Sequence, residues 1–384
     1  MINIFTLLLL VACGGGENKF VSGGETPDDY RGTLVNSKLV ATKKATFLIP
    51  YSVKAYRIVY YTIGVNGNKL KASGLLAVPQ KAIGEKSPLL SYQHGTIFLN
   101  EQAPSISNSS RDGIMSFAGR GYIISAPDYI GYGESAGEMH PYVHANSLAS
   151  ASIDMLRASK QLLQSKNVRI NNQLFLAGYS EGGYATLALQ KALQESNSSE
   201  FVVTASAAGA GSYNLSETAK TFANKAVNNR PAYMSFLLKA YDTIYALNKI
   251  NDIYQAQYVN TINSVFDGTH SSKNITDSLT TVTEDLFNPS FLEAFRGTGD
   301  HTLKEKLALN NIYDWKPIAP TRLYHSPNDE IVPYSNSQKA LTTMKANGAT
   351  NITLGDCPLN THTKCAVPYL FDTINFFSKY VNDL

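Results

Sequence analysis

The sequence predicts an α/β fold: a mostly parallel sheet covered by helices on both faces, with a helical segment inserted before the last strands. Three observations carry this. Short apolar runs at 88–92 (PLLSY), 121–126 (GYIISA), 174–177 (LFLA) and 201–208 (FVVTASAA) have the length and composition of strands buried on both sides. Helical patterns separate several of them, the alternation that parallel strands require. From 212 to 315 the strand signal stops, and it resumes at 321–325 (TRLYH) and 351–354 (NITL).

Composition narrows the function. At 384 residues with 43% hydrophobic content the chain can bury a large core, and a formal charge of +3 without a long basic run gives no sign of a nucleic-acid partner, so none is expected. Residues 1–12 (MINIFTLLLLVA) are apolar for too short a distance to span a bilayer and read as a signal segment. The stretch Leu10-Val11-Ala12-Cys13 resembles a bacterial lipoprotein cleavage box. That resemblance implies a lipidated Cys13 and attachment to the outer membrane; an ordinary signal peptide, and so a secreted protein, is the alternative. Residues 13–45 follow as a tether and N-terminal extension, Gly-rich and polar up to Asp29.

The elements then come in order. Runs 56–62 (YRIVYYT) and 72–78 (ASGLLAV) flank a turn from Gly64 to Gly67 and form an edge hairpin that Pro79 ends. Strand 88–92 leads into Gln93-His94-Gly95-Thr96, and 121–126 into Pro127-Asp128-Tyr129. Residues 147–164 make an amphipathic helix with Leu148, Ile153, Leu156 and Leu163 on one side. Strand 174–177 turns through Gly178-Tyr179-Ser180-Glu181-Gly182 directly into a helix bearing Tyr184, Leu187 and Ala188. The core is therefore expected at 46–211 and 316–384. The helical stretch 212–315 is expected as a cap over the strand ends, with aromatics such as Phe287 and Phe291 contributing to a pocket. An independent helical domain is the alternative. A helix over 368–381 closes the chain.

G-x-S-x-G occurs twice, around Ser135 and Ser180. Only Ser180 stands between an apolar strand and a helix, where a sharp turn lifts a nucleophile clear of the sheet. Ser135 lies in a Gly- and Tyr-rich loop. Serine needs a histidine base and an acid that orients it. If these follow in the order serine, acid, histidine, the acid is Asp329 on the turn after 321–325, with Glu330 as rival, and the base is His362 after 351–354. His325 ends a strand and reads as a packed residue, while His270 and His301 fall in the cap. An oxyanion needs two donors. The Glu181 backbone N–H supplies one and Thr96 the other, with Gly95 as rival; His94 shapes that turn.

Gln93-His94-Gly95-Thr96, Asp128-Tyr129-Ile130-Gly131-Tyr132-Gly133, Gly178-Tyr179-Ser180-Glu181-Gly182-Gly183 and Asp329-Glu330-Ile331-Val332-Pro333 together resemble the α/β-hydrolase superfamily. Within it they are most similar to secreted lipases and bacterial esterases with a helical cap. The resemblance covers residues 50–384 and implies serine-dependent hydrolysis of a small-molecule or lipid ester, with no cofactor and no metal. A serine peptidase on the same fold and a surface binding protein without catalysis are the other readings. Finally, with Cys13 lipidated, Cys357 and Cys365 remain, and a disulfide between them is expected to frame His362.

Overall fold

Leu89 and Leu90 are neighbours in the chain yet enter different cores. A strand turns successive side chains to opposite faces, so a run that is apolar at every position needs cover on both. The same split separates Ile123 from Ile124, and Leu174 and Leu176 from Phe175 and Ala177. The structure, a computed structural model, describes residues 30–47, 49–196, 199–357 and 361–384. The expected signal segment, Cys13 and the Gly-rich stretch lie outside the described residues.

Among the described residues nine strands form one sheet: β1 (Leu34–Lys43), β2 (Val53–Ile63), β3 (Lys69–Pro79), β4 (Lys86–Gln93), β5 (Ile123–Pro127), β6 (Arg169–Tyr179), β7 (Val203–Gly209), β8 (Thr321–His325) and β9 (Ile352–Asp356). Their order is β1-β2-β3-β5-β4-β6-β7-β8-β9. The first three strands, and β3 with β5, pair antiparallel, and every later pairing is parallel. On one face lie α1 (Asn108–Ala118) and, from the chain's end, α13 (Ala366–Phe377), which bring Ile114, Met115, Tyr369 and Phe377 onto Leu90 and Phe175. On the other, α2 (Ala145–Ser165) and α3 (Glu181–Glu195) bring Met155, Leu156, Leu189 and Leu193 onto Leu89 and Leu176.

Within the expected N-terminal extension, residues 34–43 form strand β1, which pairs with β2 at the edge of the sheet. Its side chains are mostly exposed, and so it lacks the apolar signature of the inner strands. Helix α1 was likewise illegible, for its sequence NSSRDGIMSFA buries only Ile114, Met115 and Ala118.

Between β7 and β8 stand eight helices, α4 (Leu215–Asn224), α5 (Pro231–Ile244), α6 (Ile250–Ile253), α7 (Ala256–Ser264), α8 (Ser272–Asp277), α9 (Thr283–Leu286), α10 (Pro289–Arg296) and α11 (His301–Leu309). Proline at the first turn of α5 and α10 starts those helices where its missing N–H costs nothing. A single apolar cluster runs from Phe291 and Phe295 through Phe236 to Tyr184, Leu323 and, on α12 (Ser335–Ala346), Met344. The inserted helices thus share a core with the sheet rather than enclosing one of their own.

Candidate active site

Strand β6 ends at Tyr179 and α3 begins at Glu181, leaving Ser180 as the whole turn. Its backbone lies at φ 62, ψ −124, a conformation that costs a non-glycine residue on the order of 1–3 kcal/mol and persists only where its surroundings enforce it. The Ser180 N–H donates to Gly209 O at 2.8 Å and its carbonyl accepts from Tyr184 N at 3.1 Å. Glycine is required at 182 because a Cβ there would lie 2.1 Å from Gln93 O. The strain therefore holds the serine hydroxyl at the carboxyl ends of the parallel strands.

His362 reaches that hydroxyl, with Nε2 2.8 Å from Ser180 Oγ and Nδ1 2.6 Å from Asp329 Oδ2. The Asp329 side chain is fully buried. Its Oδ1 accepts from the backbone N–H groups of Ile331 and Val332 at 2.9 and 2.8 Å, and its Oδ2 also faces His325 Nε2 at 3.1 Å. Burial pushes the Asp329 pKa up, but hydrogen bonds from His325 and His362 outweigh it and hold the carboxyl well below the usual range. His325 has a clear tautomer: Nε2 faces Asp329 and the Val332 carbonyl, so Nδ1 accepts from Ser337 Oγ at 2.8 Å. The rival Glu330 does not meet the imidazole. It accepts instead from the His362 backbone N–H at 3.0 Å.

The expected disulfide is not formed in this structure. Among the described residues, Cys357 and Cys365 are both buried and present as thiols. Burial, and then the hydrogen bond with Cys357, push the Cys365 pKa up. The His362 loop is fixed without a covalent bridge: Glu330 holds its backbone N–H, and the Tyr179 hydroxyl donates to its carbonyl at 2.7 Å.

The loop after β4 approaches Ser180 from the other side. A Cβ added at Gly95 would stand 3.7 Å from Ser180 Cβ and 3.1 Å from Tyr179 O. Thr96 Oγ1 lies 3.0 Å from the Tyr142 hydroxyl, which shares the cleft with Ser180 and Glu181. His94 shapes the turn as expected, with Nδ1 2.7 Å from Gly95 O and Nε2 3.2 Å from Asp128 O. Ser135 has no access to this cleft. It is buried, and its hydroxyl holds a local turn by accepting from Gly131 N and donating to Tyr132 O.

Inserted helices close the cleft. Beside Ser180 stand Leu215, Thr218 and Phe222 of α4, Tyr233, Met234 and Leu237 of α5, and Ile331 and Val332. Phe287 and Phe291 are not among them, contrary to expectation. They pack on each other and on Tyr254, with ring centroids 5.7 and 5.1 Å apart, inside the helical cluster. Sequence reasoning also missed His140, whose Nε2 lies 2.8 Å from the buried Glu181 carboxylate. The signal for it was an acid placed directly after the serine, where the helix must pack. Among the described residues no cluster of His, Cys, Asp and Glu is arranged to hold a metal ion.

Comparison with known proteins bears on the fold and the class of reaction. The secretory lipase family model matches residues 112–374. The chain is 24% identical over 314 residues to a secreted triacylglycerol lipase, LIP5, of Malassezia furfur, covering 79% of this chain and 73% of that one. Among solved structures, the rice cell wall degrading esterase LipA of Xanthomonas oryzae superposes with a TM-score of 0.84 at 26% identity, covering 91% of this chain and 100% of that one. Candida antarctica lipase A in its closed state shares the fold, with a TM-score of 0.69 at 17% identity over 96% of this chain and 87% of that one. The chain therefore belongs to the secretory lipase family, has the α/β-hydrolase fold, and is a carboxylic ester hydrolase.

Proposed function

We propose that Ser180, His362 and Asp329 form the catalytic triad and cleave carboxylic esters through an acyl-enzyme. The observation that carries this is the unbroken hydrogen-bond path from Ser180 Oγ through His362 to Asp329 Oδ2. Asp329 accepts at both oxygens and stays ionised, so the imidazole carries its proton on Nδ1 and leaves Nε2 free to act as base. Ser180 Oγ attacks the acyl carbon as its proton passes to Nε2. The carbonyl oxygen becomes an anion held by the Glu181 backbone N–H at the start of α3 and by the Gly95-Thr96 loop. Proton return from Nε2 expels the alcohol, and a water activated the same way frees the acid.

The apolar side chains of α4 and α5 take the acyl group, so residues 212–315 act as the cap and 46–211 with 316–384 as the catalytic core. A lipid ester is the substrate class that the secretory lipase family and the Malassezia lipase support. Secretion is the setting, with a lipidated Cys13 as the anchor; mass measurement of the mature N-terminus tests that part. For the triad, Ser180→Ala is expected to reduce hydrolysis of a nitrophenyl ester by about a millionfold. Ser135→Ala is expected to weaken the fold while leaving turnover per folded molecule. Retention of a tenth of the activity by clean Ser180→Ala would overturn the assignment.

A further inference from the structure

Glu181 follows the nucleophile, and its own backbone N–H is the proposed oxyanion donor, yet its side chain carries an acid into a site where negative charge must form. The carboxyl is 1% exposed and His140 is 3% exposed. His140 Nδ1 lies 2.7 Å from the Ile130 carbonyl, which can only accept, so Nδ1 bears a hydrogen. Nε2 then faces Glu181 Oε1 at 2.8 Å. Two acceptors cannot meet at that distance without a proton between them. The pair holds either an imidazolium beside a carboxylate or a neutral imidazole beside a carboxylic acid, and its net charge is zero in both forms.

Other groups that face Glu181 cannot neutralise it as well. They are His94, whose cationic form burial disfavours, and Tyr129, Tyr132, Tyr142 and Tyr184, which stay neutral and whose charged form would be an anion. The His140 ring is itself held in aromatic packing, 4.8 Å from the Tyr132 ring centroid and 5.8 Å from that of Phe236 on α5. A bare carboxylate here would compete with the oxyanion for the positive end of α3 and would lack a partner in a dry site.

We propose that His140 is a positioning residue for ester hydrolysis, resting on the triad reading above: it supplies the proton that neutralises the Glu181 side chain and so keeps the first turn of α3 ready for an oxyanion. The test measures kcat and KM for a soluble ester in wild type, His140→Ala, Glu181→Gln and the double variant, with thermal melting to confirm folding. A glutamine at 181 has no charge to neutralise. His140→Ala is expected to lower kcat about 100-fold, the scale of losing an oxyanion donor, with KM little changed. In the Glu181→Gln background the same change is expected to cost no more than about threefold.

Equal losses in the two backgrounds would overturn the inference, for a packing role does not depend on the charge at 181. If His140→Ala is not recovered folded, His140→Gln makes the same comparison, because its amide can donate to residue 181 but brings no charge. Ser180→Ala is assayed alongside. Activity surviving in that variant would overturn the triad reading instead, so the two failures are told apart.

Discussion

Below the cleft, Ser180, Asp329 and His362 stand on backbone that the sheet fixes; above it, the side chains facing Ser180 come from α4 and α5, two helices of an insertion without strands of its own. The lower wall draws its accuracy from hydrogen bonds made to backbone: Ile331 and Val332 N–H on Asp329, Glu330 on the His362 N–H, and Tyr179 on the His362 carbonyl. The upper wall is held by side-chain packing, including Phe236 stacked 4.7 Å from Tyr142 and 5.0 Å from Phe266. Substitutions below should therefore act on turnover, and those above on which ester is taken or on stability.

After the loss of Ser180 itself, the largest effect expected from breaking this division is at Asp329. Replacement by asparagine keeps the shape but lets the amide favour the wrong His362 tautomer, and kcat is expected to fall by about 10⁴, measured with the protein shown folded by circular dichroism. Above the cleft, Leu237→Trp should fill the space beside Ser180. A chain-length series of nitrophenyl esters should then show preference shifting towards short acyl groups by about 10- to 200-fold, with acetate turnover retained. Phe287→Ala sharpens the contrast, since that ring is buried away from Ser180: a loss of about 3–5 kcal/mol in urea unfolding is expected, with the chain-length profile unchanged.

Smaller effects follow. His144 lies outside the triad, and burial lowers its pKa from 6.5 to about 4. The unfolded chain takes up a proton there as the pH falls from 6.5 towards 4 while the native state does not, so stability is present above that window and is lost through it, by about 3 kcal/mol at most. Asp329 adds a further loss at lower pH, because its native pKa is depressed below the unfolded value. Urea midpoints across a pH series check both. Cys357→Ser should matter least, costing about 1 kcal/mol in stability and leaving turnover within about threefold, because hydrogen bonds already hold His362.

What the sequence revealed followed the same division. Strands buried on both faces carry short runs rich in apolar residues, so the inner stretches of β4, β6 and β8 stood out, and each leads to a turn where a chemically distinctive residue waits. Ser180 and Asp329 were legible for that reason, and His362 because it is the one histidine after His325 in the sequence. Strand β1 was not, since an exposed edge strand needs no apolar pattern. The pocket-forming side of the helices was not legible either: Phe287 and Leu237 are both buried apolar residues in helical sequence, and only the fold decides which meets Ser180. His140 with Glu181 was hidden because the partners come from separate loops, and the disulfide was expected where hydrogen bonds to His362 already serve.

The central claim is that Ser180 is the nucleophile of this hydrolase, and covalent labelling tests it most directly. A fluorophosphonate is incubated with the wild-type protein and with His362→Ala, and the adduct is mapped by peptide mass spectrometry. The account predicts one adduct, on the peptide carrying Ser180, formed in step with loss of esterase activity and greatly slowed without the His362 base. Inactivation with the adduct on Ser135 or any other residue, or full activity with Ser180 labelled, would contradict it.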